Sequence, residues 1–175
     1  MKSKVDIISE LKELHNNLME HYGQMNLVEM NIKYDKTWTP AQFLDFVNRC
    51  NRYSAKLFNT SKWMLRLRFG KPAATPINGN MPEKSLGLPG SSHACAPSKN
   101  LYFNDELYVE ANASFNELMG HIHQWDEKDF DRYNMTHPIM GTFTVCGYLC
   151  ALIAQLKHIS PSSFSQTLQV RNKLP

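Results

Sequence analysis

TPAQFLDFVNRCNRYSAKL, residues Thr39 to Leu57, carries both a helix start and a helix face. Thr39 is placed to accept from the backbone of Gln42, and Gln42 to reach back, which is the reciprocal pattern of a capping box. Pro40 suits the first helical position because its missing N–H has no partner there in any case. Phe43, Phe46, Val47, Cys50, Tyr53 and Leu57 then recur at spacings of three and four, one face of a helix. A helix with such a stripe needs partners to bury it.

The rest of the chain supplies three. Upstream, Ile8, Leu11, Leu14, Leu18, Tyr22 and Met25 define a face of a first helix, with Ser3 and Asp6 as its capping pair. Downstream, Leu107, Ala111, Phe115, Leu118, Ile122 and Trp125 define a third. The last begins near Thr144 and runs through Val145, Cys146, Leu149, Leu152, Ile153 and Leu156 to the helix-ending pair Ser160-Pro161. Most of its circumference is apolar, which predicts the most buried of the four.

Between the second and third helices, TSKWMLRLRFGK reads as a short amphipathic helix, with Trp63, Met64, Leu67 and Phe69 expected to cap one end of the assembly. The stretch 71–100 is rich in proline and glycine, lacks periodicity and reads as a long connection. DEKDFDRYNMTHPIMG breaks the pattern again before the last helix, and strand-like alternation of useful length is absent throughout. The expected fold is all-α: a single-domain four-helix bundle over 1–175, with a short extra helix and a long loop between helices 2 and 3, and a peripheral tail over 160–175.

Bulk properties narrow the function classes. A chain of 175 residues builds one domain with a substantial core, and 42% apolar with 20% charged residues is near the globular average. The net charge of +3 comes from scattered residues and argues for no nucleic-acid partner. MKSKVDIISELKEL intersperses charges where a signal peptide needs an unbroken apolar stretch, and no segment reaches the length of a membrane span, so a cytoplasmic protein is expected. Cys50, Cys95, Cys146 and Cys150 are too few and too far apart for a disulfide scaffold, which fits a reducing compartment. In that setting the glycosylation-type triplets at Asn59, Asn112 and Asn134 are chance.

Few residues point to chemistry. His15 flanks the stripe of helix 1 and His121 that of helix 3, while His123 lies about 200° away from His121 and cannot share a metal with it on a continuous helix. Each is a packed or surface histidine unless a ligand set forms around it. His93 and Cys95 in SHAC lack an orienting carboxylate at recognisable spacing. The acidic run Asp126, Glu127, Asp129 and Asp131 lacks a calcium loop's glycine and reads as solvated. Cys146 and Cys150 share a helix face and read as core packing.

Three stretches together resemble the DinB-like superfamily of four-helix bundles: WTPAQFLDFVNRCNRY (Trp38 to Tyr53), THPIMGTFT (Thr136 to Thr144) and YLCALIAQLKHI (Tyr148 to Ile159). The region WMLRLRFGKPAATPINGNMPEKSLGLP is similar to an uncharacterised branch of it. The resemblance implies the bundle fold and, in metal-binding members, three histidines around a divalent ion, some members transferring low-molecular-weight thiols. Carried onto this chain, the helix 2 ligand falls at Phe46 and the helix 4 pair at Gln155 and Ile159, with His158 beside them. A one-residue slip pairs Ala154 with His158 and restores one imidazole, too few for a metal site. The leading expectation is therefore a bundle with a degenerate metal site and no metal cofactor, a non-catalytic module that binds a small apolar or thiol-type ligand or forms a homodimer. Its pocket is expected at Phe46, Tyr53, Gln155 and Ile159 under the 71–100 loop, with Gln155 needing an interior partner, either His15, Tyr22, Tyr53 or a bound ligand. The alternative is a zinc- or nickel-dependent thiol S-transferase or hydrolase using His15, His121 and His158 as substitute ligands.

Overall fold

The computed structural model describes residues 2–33, 38–71, 95–97, 102–138 and 140–159. Within them the chain is mostly helical: α1 Lys4–Gly23, α2 Leu27–Asn31, α3 Pro40–Phe58, α4 Lys62–Phe69, α5 Asn104–His123 and α6 Val145–Ile159. The expected tail 160–175 and most of the 71–100 connection lie outside the described residues. No helix among those described is long and apolar enough to cross a membrane.

Local chemistry sets the helix starts as the sequence predicts. Thr39 Oγ1 accepts from Gln42 N at 3.2 Å while Gln42 Oε1 accepts from Thr39 N at 3.0 Å, and Ser3 and Asp6 form the same reciprocal box at α1. A third box, Asn26 with Glu29, starts α2, a short helix absent from the sequence reading. Its Asn31 clamps the backbone of Tyr102, donating to the carbonyl and accepting from the amide, both at 3.0 Å.

Four long helices pack in a directional order that pairwise contacts define. Asp45 meets Tyr102, Asn48 meets the Leu107 carbonyl and Trp125 Nε1 donates to the Phe58 carbonyl, so α3 and α5 run parallel. His15 bonds Asn112 while Lys4 reaches the carbonyls of His123 and Trp125, so α1 and α5 are antiparallel. Glu10 pairs with Lys157 alongside α6, and Ser54 with Tyr148 and Cys50 with Gln155 join α3 to α6 in antiparallel sense. The core is continuous from Ile7, Leu11 and Leu18 through Phe46 and Leu118 to Tyr148 and Leu152.

Four expectations are corrected. The stretch before α6 contains a hairpin, β1 Asn134–His137 paired antiparallel with β2 Gly141–Thr144 in the register Met135 to Phe143. Gly141 has φ 92°, a left-handed conformation that glycine adopts without a Cβ clash. Four-residue strands are too short for alternation to register in a sequence window. Secondly, α4 presents the opposite edge: Leu65 is buried, whereas Trp63, Met64 and Leu67 are 67%, 48% and 79% exposed. Its rotation is set by the Lys62 ion pair with Asp129, by Arg66 over the Tyr133 ring and by Asn134 bonding the Phe69 carbonyl. Thirdly, Asp129 is thereby buried rather than solvated, though its acidic neighbours Asp126, Glu127 and Asp131 are exposed.

The fourth correction concerns α3, which is at least as buried as α6. Its polar residues Gln42, Asp45, Asn48, Asn51 and Ser54 are inside along with its apolar stripe. Asp45 shows how this is tolerated: it accepts from the Tyr102 hydroxyl at 2.7 Å and from Arg49 at 3.2 Å. A buried polar group with partners avoids most of its desolvation cost, and those partners come from residues distant in sequence.

Candidate functional site

The facing sides of α3 and α6 carry a directed hydrogen-bond relay. It begins on the β-hairpin, where the Met140 amide donates to His137 Nδ1 at 3.3 Å. With Nδ1 accepting, the tautomer follows: His137 Nε2 carries the proton and donates to Gln155 Oε1 at 3.0 Å. The other end of the amide, Gln155 Nε2, donates to Cys50 Sγ at 3.8 Å. Every donor points the same way, and the relay ends on the Cys50 sulfur.

The electrostatics follow that direction. Burial pushes the Cys50 thiol well above its usual range, so it stays protonated. Beside the relay, Ser54 donates to the Cys50 carbonyl at 2.7 Å, leaving its oxygen to accept from Tyr148 Oη at 2.6 Å. Burial raises Tyr148, which holds that phenol neutral. Tyr53, half-buried, donates to the Thr136 carbonyl at 3.2 Å and anchors the hairpin to α3.

Of the residues expected to form a pocket, Tyr53 and Gln155 meet around this relay. Phe46 lies one turn before Cys50 on α3, only 1% exposed and 5.3 Å from the Trp38 ring centroid. The side chain of Ile159 lies outside the described residues, as do His158 and His93. The partner of Gln155 is none of those anticipated. His137 sat in a stretch read as an irregular connection, where the hairpin had no visible signature.

The residues do not fit the divalent ion that the resemblance implies. Phe46 offers no donor atom, and both ends of the Gln155 amide are engaged by His137 and Cys50. Among the described residues no group of three or more His, Cys, Asp or Glu is placed to hold a metal. Of the substitute ligands, the two with described side chains, His15 and His121, are apart as well. His15 stacks on Phe115, ring centroids 4.0 Å apart and planes 3° from parallel, and bonds Asn112 at 3.1 Å. His121 is six residues beyond Phe115 on α5, about 9 Å along the helix axis.

His15 is instead a packed core residue. Burial holds its pKa below the usual imidazole value. The folded state therefore favours the neutral ring, and the unfolded chain takes up the proton first as pH drops. Stability attributable to His15 is full above about 6.5 and is lost as pH falls through that value toward the folded pKa. His21, also lowered by burial, contributes in the same direction. Denaturant titrations across this range should show a smaller acid loss in His15→Asn than in the wild type. An unchanged pH dependence would remove His15 from the account.

Cys146, buried, and Cys150, half-buried, stand one turn apart on α6. The neighbouring Cys146 thiol and the charge of Lys2 bring the Cys150 thiol down to about 7.

The chain matches no described protein family, no curated protein and no solved structure.

Proposed function

We propose that this chain is a DinB-like four-helix bundle whose metal position is filled by its own side chains, and that it acts as a non-catalytic small-molecule-binding module. The observation that carries this reading is the Gln155 amide, spent on His137 and Cys50 at the position where the resemblance asks for an imidazole. Phe46 supports it from the other side, as a buried ring where a second imidazole is required. The ligand is a small apolar or thiol-type compound held beside Tyr53 and Gln155. A zinc- or nickel-dependent thiol transferase or hydrolase is the competing class. Metal analysis of protein purified without a histidine tag separates the two. Sub-stoichiometric metal is expected, and a stoichiometric divalent ion that disappears in His158→Ala overturns the reading.

A second reading, homodimerisation, is favoured by α4. Trp63, Met64 and Leu67 leave an apolar patch beside a shallow groove of about 480 Å³ lined by Trp63, Arg66, Leu67 and Tyr133. Contiguous exposed apolar side chains of this size mark interaction surfaces. Sedimentation across a concentration range should show self-association that Leu67→Glu weakens about ten-fold or more, since a buried unpaired charge is strongly unfavourable at an interface. Equal behaviour of the two proteins would exclude this face.

A further inference from the structure

We infer that α4 docks on an anionic lipid surface, its exposed apolar strip entering the headgroup boundary while the arginines on either side of the strip hold the lipid oxyanions.

The attachment of α4 decides which of its sides faces out. Leu65 is buried, Lys62 is tied to Asp129 and the Phe69 carbonyl to Asn134, so these positions mark the inner side. At about 100° per residue, the outer side then runs Arg66, Trp63, Leu67, Met64, Arg68 across its width. All five are exposed, with Leu67 in the middle at 79%. An apolar strip with a cation on each border suits a helix lying in a lipid interface. The aliphatic side chains enter the acyl boundary, the indole stays at headgroup level, and the guanidiniums meet the negative headgroups.

Charge selects this occupant. α4 has no acidic residue in its first turn and two arginines in its last. Among the described residues neither Arg66 nor Arg68 pairs with a carboxylate. They stack over the Tyr133 and Phe69 rings, 5.3 and 5.2 Å from the centroids, which orients each guanidinium plane and leaves its N–H edge for an oxyanion. In the neighbouring loop Asp126, Glu127 and Asp129 are each engaged within the chain, by Lys128, the Lys4 amide and Lys62, and the exposed Asp131 is followed by the exposed Arg132. A second copy, the occupant considered above for this face, fits the charges less well. Two α4 strips packed face to face across a two-fold axis set Arg66 against Arg66 and Arg68 against Arg68. The groove beside Trp63 is also shallow, without the deep socket that seats a protein partner's anchor residue. A lipid surface needs no socket.

The full chain is mixed with vesicles of two parts phosphatidylcholine to one part phosphatidylserine, and separately with vesicles of phosphatidylcholine alone, and binding is read by flotation and tryptophan emission. The anionic vesicles should bind about ten-fold or more tightly than the neutral ones, and added salt should weaken them. They should shift the emission to the blue in the wild type and not in Trp63→Phe, because Trp38 packs on Phe43 and Phe46 and Trp125 is buried. Leu67→Glu, and Arg66→Gln combined with Arg68→Gln, should each weaken binding about ten-fold or more. These side chains are exposed, so the variants should keep the wild-type circular dichroism. No binding, equal binding to the two vesicle types, or binding that Leu67→Glu leaves unchanged overturns the proposal. Self-association that Leu67→Glu weakens, with Trp63 emission unmoved by vesicles, gives the face to a second copy and overturns it as well.

Discussion

Phe46→Ala lowers the unfolding free energy by about 3–5 kcal/mol in denaturant titration, the usual cost of removing a large ring from a packed core. Phe46 is 1% exposed and sits against Trp38, which in turn meets Phe43 edge-on at 5.6 Å. Alanine here leaves a void that the flanking helices cannot close, because α3 is held on both sides by α5 and α6. The result also bears on function. Were Phe46 the wall of an open, solvated cavity, its truncation would cost little. A loss below about 1 kcal/mol would therefore sink the proposal that this side chain fills the position where the resemblance implies a metal ligand.

Gln155→Leu is the second large effect, expected to cost about 1–3 kcal/mol through the groups it strands rather than the volume it changes. Leucine has nearly the same shape but leaves the His137 Nε2–H without its acceptor and Cys50 without its N–H donor. His137 is 2% exposed, so water does not replace the lost bond freely. A cycle with His137→Leu distinguishes a shared relay from two unrelated sites: the double variant should lose clearly less than the sum of the singles. Strict additivity would mean that the two residues do not act together.

Much of the helical framework is legible in the residues. Thr39, Pro40 and Gln42 start α3, Ser3 and Asp6 start α1, and the α5 stripe from Leu107 to Trp125 is buried as its spacing predicts. These features depend on neighbours within one or two turns, where backbone geometry fixes who can touch whom. The first stripe needed a small adjustment: Ile7 and His15 are buried, while Ile8 and Leu14 are half-buried. That shift reflects packing against α5, where His15 stacks on Phe115.

The candidate site was legible only in part. Register alone made Gln155 an inward polar group in need of a partner, which it is. Its partner was not, because His137 reaches it from a hairpin whose strands are too short to announce themselves, across 18 residues of chain. Likewise α4 follows the attachments of Lys62, Arg66 and Asn134 instead of its own apolar face, and so leaves Trp63 and Leu67 outside.

The sequence by itself thus determined where α1 and α3 begin and which faces of α3, α5 and α6 are apolar. Only the tertiary structure decided the parallel and antiparallel order of the helices, the burial of Asp45, Asn48 and Asp129, and the relay from His137 to Cys50. The division is physical. Caps and stripes are contacts between near neighbours and repeat with the helix period. A buried polar group is tolerated only by a partner the fold delivers from far along the chain, and nothing in the local pattern says which one will arrive.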